Sequence, residues 1–388
     1  MTKDALVEHQ PLFPLDLFLC LSCGHVQLLD VIDPIVLYEH YVYVSGTSPV
    51  FVRHFKEYAD YVIGAFQPDG EALVVDIGAN DGTLLHFLKG SGLRVLGVDP
   101  AREITERTIA SGIPIVNDFF TPKLAEHIRS EHGAASVITA NNVIAHIDDL
   151  ASVMDGVRRL LTPDGVFIFE VSYLADMVEK TLFDMIYHEH LDYHSVKPLM
   201  GFFLRCELEM IEVMRIDTHG GSLRGIVQHK GGPHKVGKSL ADALAREVEL
   251  GLHKAETFDV FAAHIENIKA ELTGLLRRLK AEGCHIAGFG APAKTTTLMY
   301  HFGIEPGMID FIVDDSPLKQ GHYTPGLHIP VVPVSELYVH RPDYVVLLAW
   351  NFAEPVMAKH AAFRDGGGRF IVPFPNVQIV LLGYYGSG

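Results

Sequence analysis

Residues 71–83 read Glu71-Ala-Leu-Val-Val-Asp-Ile-Gly-Ala-Asn-Asp-Gly-Thr83, and this stretch decides the fold. The apolar, β-branched run from Leu73 to Ile77 predicts a buried strand, and the apolar residues after Thr83 predict a helix. A strand, a glycine-rich turn and a helix in this order are typical of nucleotide-binding βα units. The turn departs from the GxGxxG spacing and is acidic, which disfavours a diphosphate and favours a cofactor that carries a positive charge. The residues of this unit predicted to contact the cofactor are Asp76, Gly78, Asn80 and Gly82.

Four further apolar runs follow, at residues 94–99, 114–118, 136–142 and 165–170, and each ends in polar side chains. Polar residues at the carboxyl ends of successive strands mark the ligand edge of an open α/β sheet. Asp99 is placed to accept hydrogen bonds from both hydroxyls of a ribose, and Asn117 and Asp118 to read an adenine amino group. The last two strands add Asn141, Asn142 and Glu170 to this edge.

Length and composition limit the class of protein. A chain of 388 residues is too long for one ordinary core and predicts two domains with room for a small extra module. The formal net charge of −17 argues against a binder of nucleic acid or of anionic membranes. The sequence has neither an apolar run of bilayer length nor a secretory leader, so we expect a cytoplasmic protein that acts on a small molecule. The sequence does not indicate an oligomeric state.

The cysteines are too few and too scattered for a disulfide framework, which indicates a reducing compartment. Cys20-x-x-Cys23 followed by Gly24 has the shape of one zinc knuckle, whereas a structural zinc site needs four ligands, normally two such pairs. His9 or His25 could in principle complete a site. We predict no metal unless Cys20 and Cys23 hold zinc as a remnant site.

A dense set of titratable residues lies in Asp184–Ser195, soon after the fifth strand. Histidine is the natural general base near neutral pH, and neighbouring carboxylates can hold its imidazole in one tautomer. A lone histidine would be interpreted as solvated or as a helix cap, but three of them with tyrosine and glutamate favour catalysis. The candidates are Tyr187, His188, Glu189 and His190, with Asp192, Tyr193 and His194 interpreted as scaffold.

The C-terminal half predicts a second α/β unit. Helical spacing of apolar residues over 238–282 predicts one or two long helices, and a strand then enters the glycine-rich turn that ends at Lys294. Because this turn carries a lysine, a phosphate at the following helix N-terminus is reasonable. Upstream, paired glycines precede a strand at residues 223–228, where Arg224 either pairs with a phosphate or belongs to a simple turn and strand.

Two sets of motifs give the chain a specific resemblance. Residues 76–82 with Asp99 resemble the first motifs of class I S-adenosylmethionine-dependent methyltransferases, with Asn80 at the central glycine of the usual GxGxG. Five other stretches are similar to nucleotide-sugar C-methyltransferases, which methylate carbon 3 of dTDP-4-keto-deoxysugars for antibiotic glycosides. This resemblance runs from about Leu15 to the C-terminus. Its stretches are Tyr41–Gly46, Asn142–Asp149, Tyr187–His190, Thr218–Arg224 and Gly288–Lys294.

The resemblance implies S-adenosylmethionine as cofactor and a nucleotide-linked keto-deoxysugar as acceptor. It implies that His190 is the base, that Tyr187 and Glu189 line the same site, and that His188 is the competing base. The family opens with a four-cysteine zinc module, of which this chain keeps one pair.

Substrate contacts are also implied. The second glycine-rich turn would hold the nucleotide diphosphate, with Lys294 and Lys319 as phosphate ligands, and His219 would contact the substrate. Tyr41 and Tyr43 either pack within a strand or loop, or form a polar aromatic cover over the site.

The predicted architecture is α/β, with a class I methyltransferase Rossmann-like domain, a second Rossmann-like domain and a small N-terminal module. The predicted boundaries are 1–50 for the module, 51–200 for the cofactor domain, 201–283 for connecting strands and helices, and 284–388 for the substrate domain. One alternative is a methyltransferase of the same architecture with an oxygen, nitrogen or non-sugar acceptor. A sugar-nucleotide oxidoreductase that uses the second turn for NAD is disfavoured by the acidic first turn and the lack of a recognisable Tyr-x-x-x-Lys. The histidine cluster argues against a noncatalytic binding module.

Overall fold

The computed structural model describes residues 1–38, 44, 46, 49–218 and 220–380. Three residues predicted to contact the substrate, Tyr41, Tyr43 and His219, lie outside the described residues. The chain divides into two units. Unit 1 comprises Met1–Leu15, Asp176–Tyr187 and the chain from Glu256 onwards, and unit 2 comprises Asp16–Ala175 and His188–Ala255.

The described strands, in chain order, are β1 (Leu17–Leu19), β2 (Val26–Leu28), β3 (Leu73–Ile77), β4 (Arg94–Val98), β5 (Ile115–Val116), β6 (Ala135–Asn141), β7 (Leu161–Ser172), β8 (Asp192–Tyr193), β9 (Leu208–Ile216), β10 (Ser222–His229), β11 (Ile286–Phe289), β12 (Phe311–Asp314), β13 (Val331–Pro333), β14 (Tyr344–Leu347), β15 (Arg369–Val372) and β16 (Gln378–Val380). The described α-helices are α1 (Pro34–Tyr38), α2 (Pro49–Phe66), α3 (Thr83–Gly90), α4 (Arg102–Ala110), α5 (Pro122–His132), α6 (Leu150–Leu160), α7 (Leu174–Lys180), α8 (Val196–Arg205), α9 (Lys238–Leu250), α10 (Ala255–Ala281), α11 (Lys294–Phe302), α12 (Glu336–His340), α13 (Ala353–Lys359) and α14 (Ala361–Asp365).

Unit 2 is built on a seven-stranded sheet with the order β5-β4-β3-β6-β7-β10-β9. The first five strands are parallel, and β10 runs antiparallel to both of its neighbours. Chain order reverses between β3 and β6, so this is the switch point at which an open α/β sheet binds its ligand. All five strands predicted for the cofactor sheet are present, and β3 has the predicted bounds.

The core of unit 2 explains why the first stretch folds as a strand and a helix. Every residue of β3 is buried, and α3 turns Leu84, Leu85 and Leu88 into the core at helical spacing. Helix α2 covers the same face with Tyr58 and Val62, both fully buried. Burial of each such side chain stabilises the fold by roughly 1.5–3 kcal/mol.

A three-stranded antiparallel sheet, β1-β2-β8, joins the N-terminal segment of unit 2 to the histidine-rich segment. Val26 pairs with Tyr193, and Gln27 with Asp192. The turn that follows β1 closes when the Gly24 N–H donates to the Cys20 carbonyl at 2.8 Å. Residues 20–24 therefore form a tight turn between β1 and β2.

Unit 1 contains a second sheet, with the order β13-β12-β11-β14-β15-β16. Its first five strands are parallel and β16 is antiparallel, so it is Rossmann-like, with a switch point between β11 and β14. The predicted long helical region consists of two helices, α9 in unit 2 and α10 in unit 1. Among the described helices, none is both long enough and apolar enough to cross a membrane.

Candidate active site

The turn after β3 requires unusual backbone conformations at the predicted cofactor edge. Gly78, Asn80 and Gly82 all have positive φ, at 72°, 49° and 70°. A Cβ at Gly78 would approach Val143 Cγ2 to 2.3 Å, so only glycine fits there. Asparagine tolerates the left-handed region better than most residues, which accounts for its place at the usual central glycine.

Asp99 closes this turn from the end of β4. Its Oδ2 accepts the Asn80 N–H and its Oδ1 accepts the Ala101 N–H, both at 2.8 Å. Burial raises the pKa of the Asp99 carboxyl, and these two backbone bonds oppose that rise. Asn117 donates from Nδ2 to the Asp99 carbonyl at 3.0 Å, whereas the side chain of Asp118 is exposed.

Asp76 lies in β3 with only 4% of its surface exposed. Burial raises the pKa of its carboxyl to about 7, although Thr139 Oγ1 donates a 2.6 Å hydrogen bond that opposes the rise. Near neutral pH this carboxyl is therefore only partly ionised, and a cofactor that brings a positive charge would favour its ionised form.

The side chain of Asn141, at the end of β6, points to a bound ligand. Its Oδ1 and Nδ2 are both buried and have no hydrogen-bond partner among the described residues. A buried amide left in this state costs about 1–3 kcal/mol for each unmade bond, so a ligand with complementary groups is expected there. Next to it, Asn142 has φ 55° and its N–H donates to the Glu170 carbonyl at 2.8 Å. Together with the tight turn at Gly78, these features fit a nucleoside-bearing cofactor.

In unit 2 the histidine-rich segment places the buried imidazole of His190 beside the half-buried imidazole of His146. His190 is only 6% exposed, and its ring centroid lies 5.0 Å from that of His146, which belongs to a 3₁₀ turn after β6. The Leu191 N–H donates to the Ala145 carbonyl at 2.7 Å and so fixes one segment against the other. His188 and Glu189 are half-buried and belong to unit 2, and Tyr187 is half-buried and is the last residue of its segment in unit 1.

His194 has a different environment. It is fully buried, and burial lowers the pKa of its imidazole to about 4, so it stays neutral at physiological pH. Its neighbour His25 forms a 2.6 Å contact with Asp192. These contacts lie where β8 pairs with β2, and the scaffold role of this set stays a prediction.

Arg224 has a buried protein partner. Its Nε donates to Glu170 Oε1 at 2.6 Å, and His54 Nε2 lies 2.7 Å from the other carboxylate oxygen. Burial alone would raise the pKa of Glu170, but the hydrogen bond from His54 and the charge of Arg224 lower it. The guanidinium also stacks 4.0 Å from the centroid of the Tyr58 ring. The phosphate role of Arg224 stays a prediction. In the structure its guanidinium pairs with the Glu170 carboxylate.

Two lysines of unit 1 lie beside carboxylates. Lys294 Nζ is 3.0 Å from Asp184 Oδ2, which also accepts the Trp350 indole N–H at 2.7 Å. Lys319 Nζ is 3.5 Å from Asp314 Oδ2. Both predicted phosphate ligands are therefore near the carboxyl edge of the second sheet, since Lys294 begins α11 and Asp314 ends β12.

The two cysteines of the N-terminal knuckle are free and exposed. Hydrogen bonds from the backbone N–H groups of Cys23 and Ser22 lower the pKa of the Cys20 thiol. Within the described residues, no group of three or more histidine, cysteine or acidic side chains is arranged to hold a metal ion.

Two family models and one characterised relative are similar to this chain over most of its length. Residues 51–213 match a family model described as a methyltransferase domain, and residues 217–375 match one described as a C-methyltransferase C-terminal domain. The chain is 35% identical over 371 residues to the C-methyltransferase NovU of Streptomyces niveus, covering 96% of this chain and 88% of that protein. The chain belongs to the C-methyltransferase family.

The solved structures that resemble this C-methyltransferase have a lower sequence identity to it than NovU has. The PH0226 protein of Pyrococcus horikoshii OT3 is 14% identical with a TM-score of 0.39, covering 48% of this chain and 95% of that chain. Magnesium protoporphyrin IX methyltransferase from Synechocystis PCC 6803, solved with bound SAH, is also 14% identical, with a TM-score of 0.36 and coverage of 45% and 82%.

The family makes this C-methyltransferase an S-adenosylmethionine-dependent enzyme, which agrees with the strand order and the turn of unit 2. Sequence reasoning had not singled out His146 as a candidate for the site of this enzyme. The signal was present, because His146 lies in the stretch Asn142–Asp149 that carries part of the resemblance. Its closeness to His190, 44 residues away, becomes visible only in the fold.

Proposed function

We propose that this C-methyltransferase methylates a carbon atom next to the ketone of a nucleotide-linked keto-deoxysugar, with His190 as the general base. The observation that carries the proposal is an imidazole pair, the buried His190 and the half-buried His146, in the unit that also contains the predicted cofactor turn. The name of the relative NovU supports carbon as the acceptor atom. A role in the biosynthesis of an antibiotic glycoside is part of this proposal.

The chemistry requires a base for a weakly acidic C–H bond. Bound S-adenosylmethionine supplies a methyl group on a positively charged sulfur, and Asp76, Asp99 and Asn141 are the proposed contacts of this cofactor. His190 removes the proton next to the ketone and keeps it on its imidazole. The enolate carbon would then take the methyl group as the methyl–sulfur bond breaks, and the sulfur would leave as a neutral thioether. Glu189 and Tyr187 are proposed to orient the sugar. Partial burial of the imidazole pair limits protonation of the enolate by water.

His190→Asn tests the base. We expect methyl transfer to fall by about 10²–10⁴-fold, while affinity for S-adenosylmethionine in isothermal titration stays near that of the wild type. His188→Asn is the matched control, because it removes the neighbouring imidazole of the same motif and should leave most of the turnover. The opposite pattern would assign the base to His188, and near-normal turnover in His190→Asn would refute the proposal.

The nucleotide is proposed to bind at the second Rossmann-like sheet. Lys294 at the start of α11 and Lys319 after β12 offer cations at the carboxyl edge, where phosphates bind in such sheets. A nucleotide that binds the folded chain should raise its melting temperature, and above the Kd the rise should grow with the logarithm of the nucleotide concentration. Stabilisation by dTDP or UDP would support a nucleotide-linked acceptor, and no shift with any nucleoside diphosphate would favour an acceptor of another kind.

A further inference from the structure

The second sheet repeats the hydrogen-bond arrangement of the cofactor turn. Asp314, at the end of β12, accepts the Ala291 N–H on Oδ2 at 2.7 Å and the Ser316 N–H on Oδ1 at 2.8 Å. Asp99 does the same at the end of β4, with one bond from the glycine-rich turn and one from the residue two positions later. In both sheets the glycine that opens the turn donates its N–H, at 2.8 Å, to the carbonyl of the residue just before this aspartate, Val98 in one sheet and Val313 in the other. Each arrangement therefore fixes a carboxylate against the amides of a turn.

The spacing of this second unit also matches a nucleoside site. Gly288, Gly290 and Ala293 follow the G-x-G-x-x-A pattern after a strand, and Asp314 lies 21 residues beyond Ala293. In that pattern the acidic residue at the end of the second strand binds the hydroxyls of a ribose. Gly290 has φ +90°, and a Cβ there would come within 2.5 Å of the Ala349 Cβ, so the turn is closely packed against the residues that follow β14.

Independent signs of a ligand lie at the same edge. Thr295, the second residue of α11, is 2% exposed and its Oγ1 has no hydrogen-bond partner among the described residues. Asp184 is fully buried, and its Oδ1 is likewise without a hydrogen bond there, although Oδ2 contacts Lys294 and Trp350. Buried polar atoms are normally satisfied, so two such atoms around one lysine indicate a bound polar group.

Charge decides what Asp314 binds. A carboxylate repels a diphosphate, but each of its oxygens can accept a second hydrogen bond, and a sugar hydroxyl is a suitable donor. Lys319, 3.5 Å away, offsets part of the negative charge and reduces its repulsion of the phosphates. Lys294, by contrast, is placed on the helix that begins after the turn, where phosphates bind.

We propose that Asp314 binds the pentose of the substrate's nucleotide by accepting hydrogen bonds from its hydroxyl groups. This assignment rests on the proposed function, and it adds a nucleoside contact to the diphosphate contacts at Lys294. Unit 1 then binds both the pentose of the nucleoside, through Asp314, and the charged diphosphate, through Lys294.

Titration of the full chain with dTDP and with inorganic pyrophosphate separates the two contacts. We expect Asp314→Asn to weaken the affinity for dTDP by roughly 10- to 100-fold, because an amide replaces a carboxylate acceptor, and to change the affinity for pyrophosphate by less than about threefold. Asp315→Asn is the matched control, because this neighbouring carboxylate is exposed and pairs with Lys359 at 2.8 Å. It should leave both affinities unchanged. Equal weakening of dTDP and pyrophosphate in Asp314→Asn would overturn the pentose assignment.

A second measurement does not depend on a variant that folds. The wild-type chain should bind dTDP at least about tenfold more tightly than its 3′-deoxy analogue, which lacks the remaining pentose hydroxyl. Equal affinities would overturn the assignment while leaving a nucleotide-linked substrate in place. Failure of the wild type to bind dTDP, UDP and pyrophosphate would instead reject the nucleotide part of the proposed function, and this inference with it.

Discussion

At the scale of single residues, burial of Asp76 disfavours the ionised carboxylate that its proposed contact with a positively charged cofactor would use. Its carboxyl lies inside β3, and burial, with a smaller contribution from the charge of Asp99, raises its pKa from 3.8 to about 7. Between these values the folded chain holds a proton that the unfolded chain has released. The free energy of unfolding contributed by Asp76 therefore falls as pH rises from about 4 to 7, and the loss is complete above that range.

Asp76→Asn should remove this pH dependence. At pH 8 the variant is expected to be more stable than the wild type by roughly 2–4 kcal/mol, because an amide avoids burying an anion. Near pH 4 the two proteins should have nearly equal free energies of unfolding. Urea denaturation at both pH values measures the difference, and a difference that does not change with pH would contradict the assignment to Asp76.

At the scale of secondary-structure elements, a buried charge cluster ties β7, β10 and α2 together. Arg224 of β10 and His54 of α2 both contact Glu170 of β7, and each side chain is nearly or wholly buried. Removing the arginine leaves a buried carboxylate with a weaker set of partners, which is more costly than removing both members of the pair.

Arg224→Met should therefore lower the free energy of unfolding by about 3 kcal/mol or more. The double variant Glu170→Gln with Arg224→Met should recover a measurable part of this loss, and a double-mutant cycle gives the coupling between the two residues. If Arg224 acted only as a surface ligand for phosphate, the single variant would unfold like the wild type. Chemical denaturation distinguishes the two results.

The sequence predicted the elements better than the contacts between them. Strand β3 was predicted to the residue, because a continuous apolar run between a polar start and a glycine-rich turn has clear limits. Strand β7 was predicted at residues 165–170 and spans Leu161–Ser172, since strand pairing extends beyond the apolar run. Contacts of Arg224 with Glu170 and of His190 with His146 join residues 54 and 44 positions apart. Local sequence patterns do not indicate which distant residues come into contact. The partners of Arg224 and His190 can be identified only once the order of the strands in the sheet is known.

At the scale of the whole molecule, two Rossmann-like sheets provide two separate ligand edges. The proposed function assigns S-adenosylmethionine to the sheet of unit 2 and the nucleotide to the sheet of unit 1. Each ligand should slow amide hydrogen exchange mainly at its own turn, residues 78–82 for the cofactor and residues 290–295 for dTDP. The small sheet β1-β2-β8 serves as the internal control. Protection of residues 78–82 by dTDP would contradict this division.

The antiparallel strands β9 and β10 also limit where the chain can be divided into fragments. The two family matches meet between residues 213 and 217, which lie in and just after β9, and β10 falls on the far side of that gap. A fragment that ended there would leave β7 with a row of unpaired backbone groups, which is a template for aggregation. We therefore expect a fragment that ends between β9 and β10 to aggregate more readily than the full chain. A chimaera that exchanges the C-terminal sheet between members of this family should therefore keep residues 208–229 with the seven-stranded sheet, so that β7 stays paired.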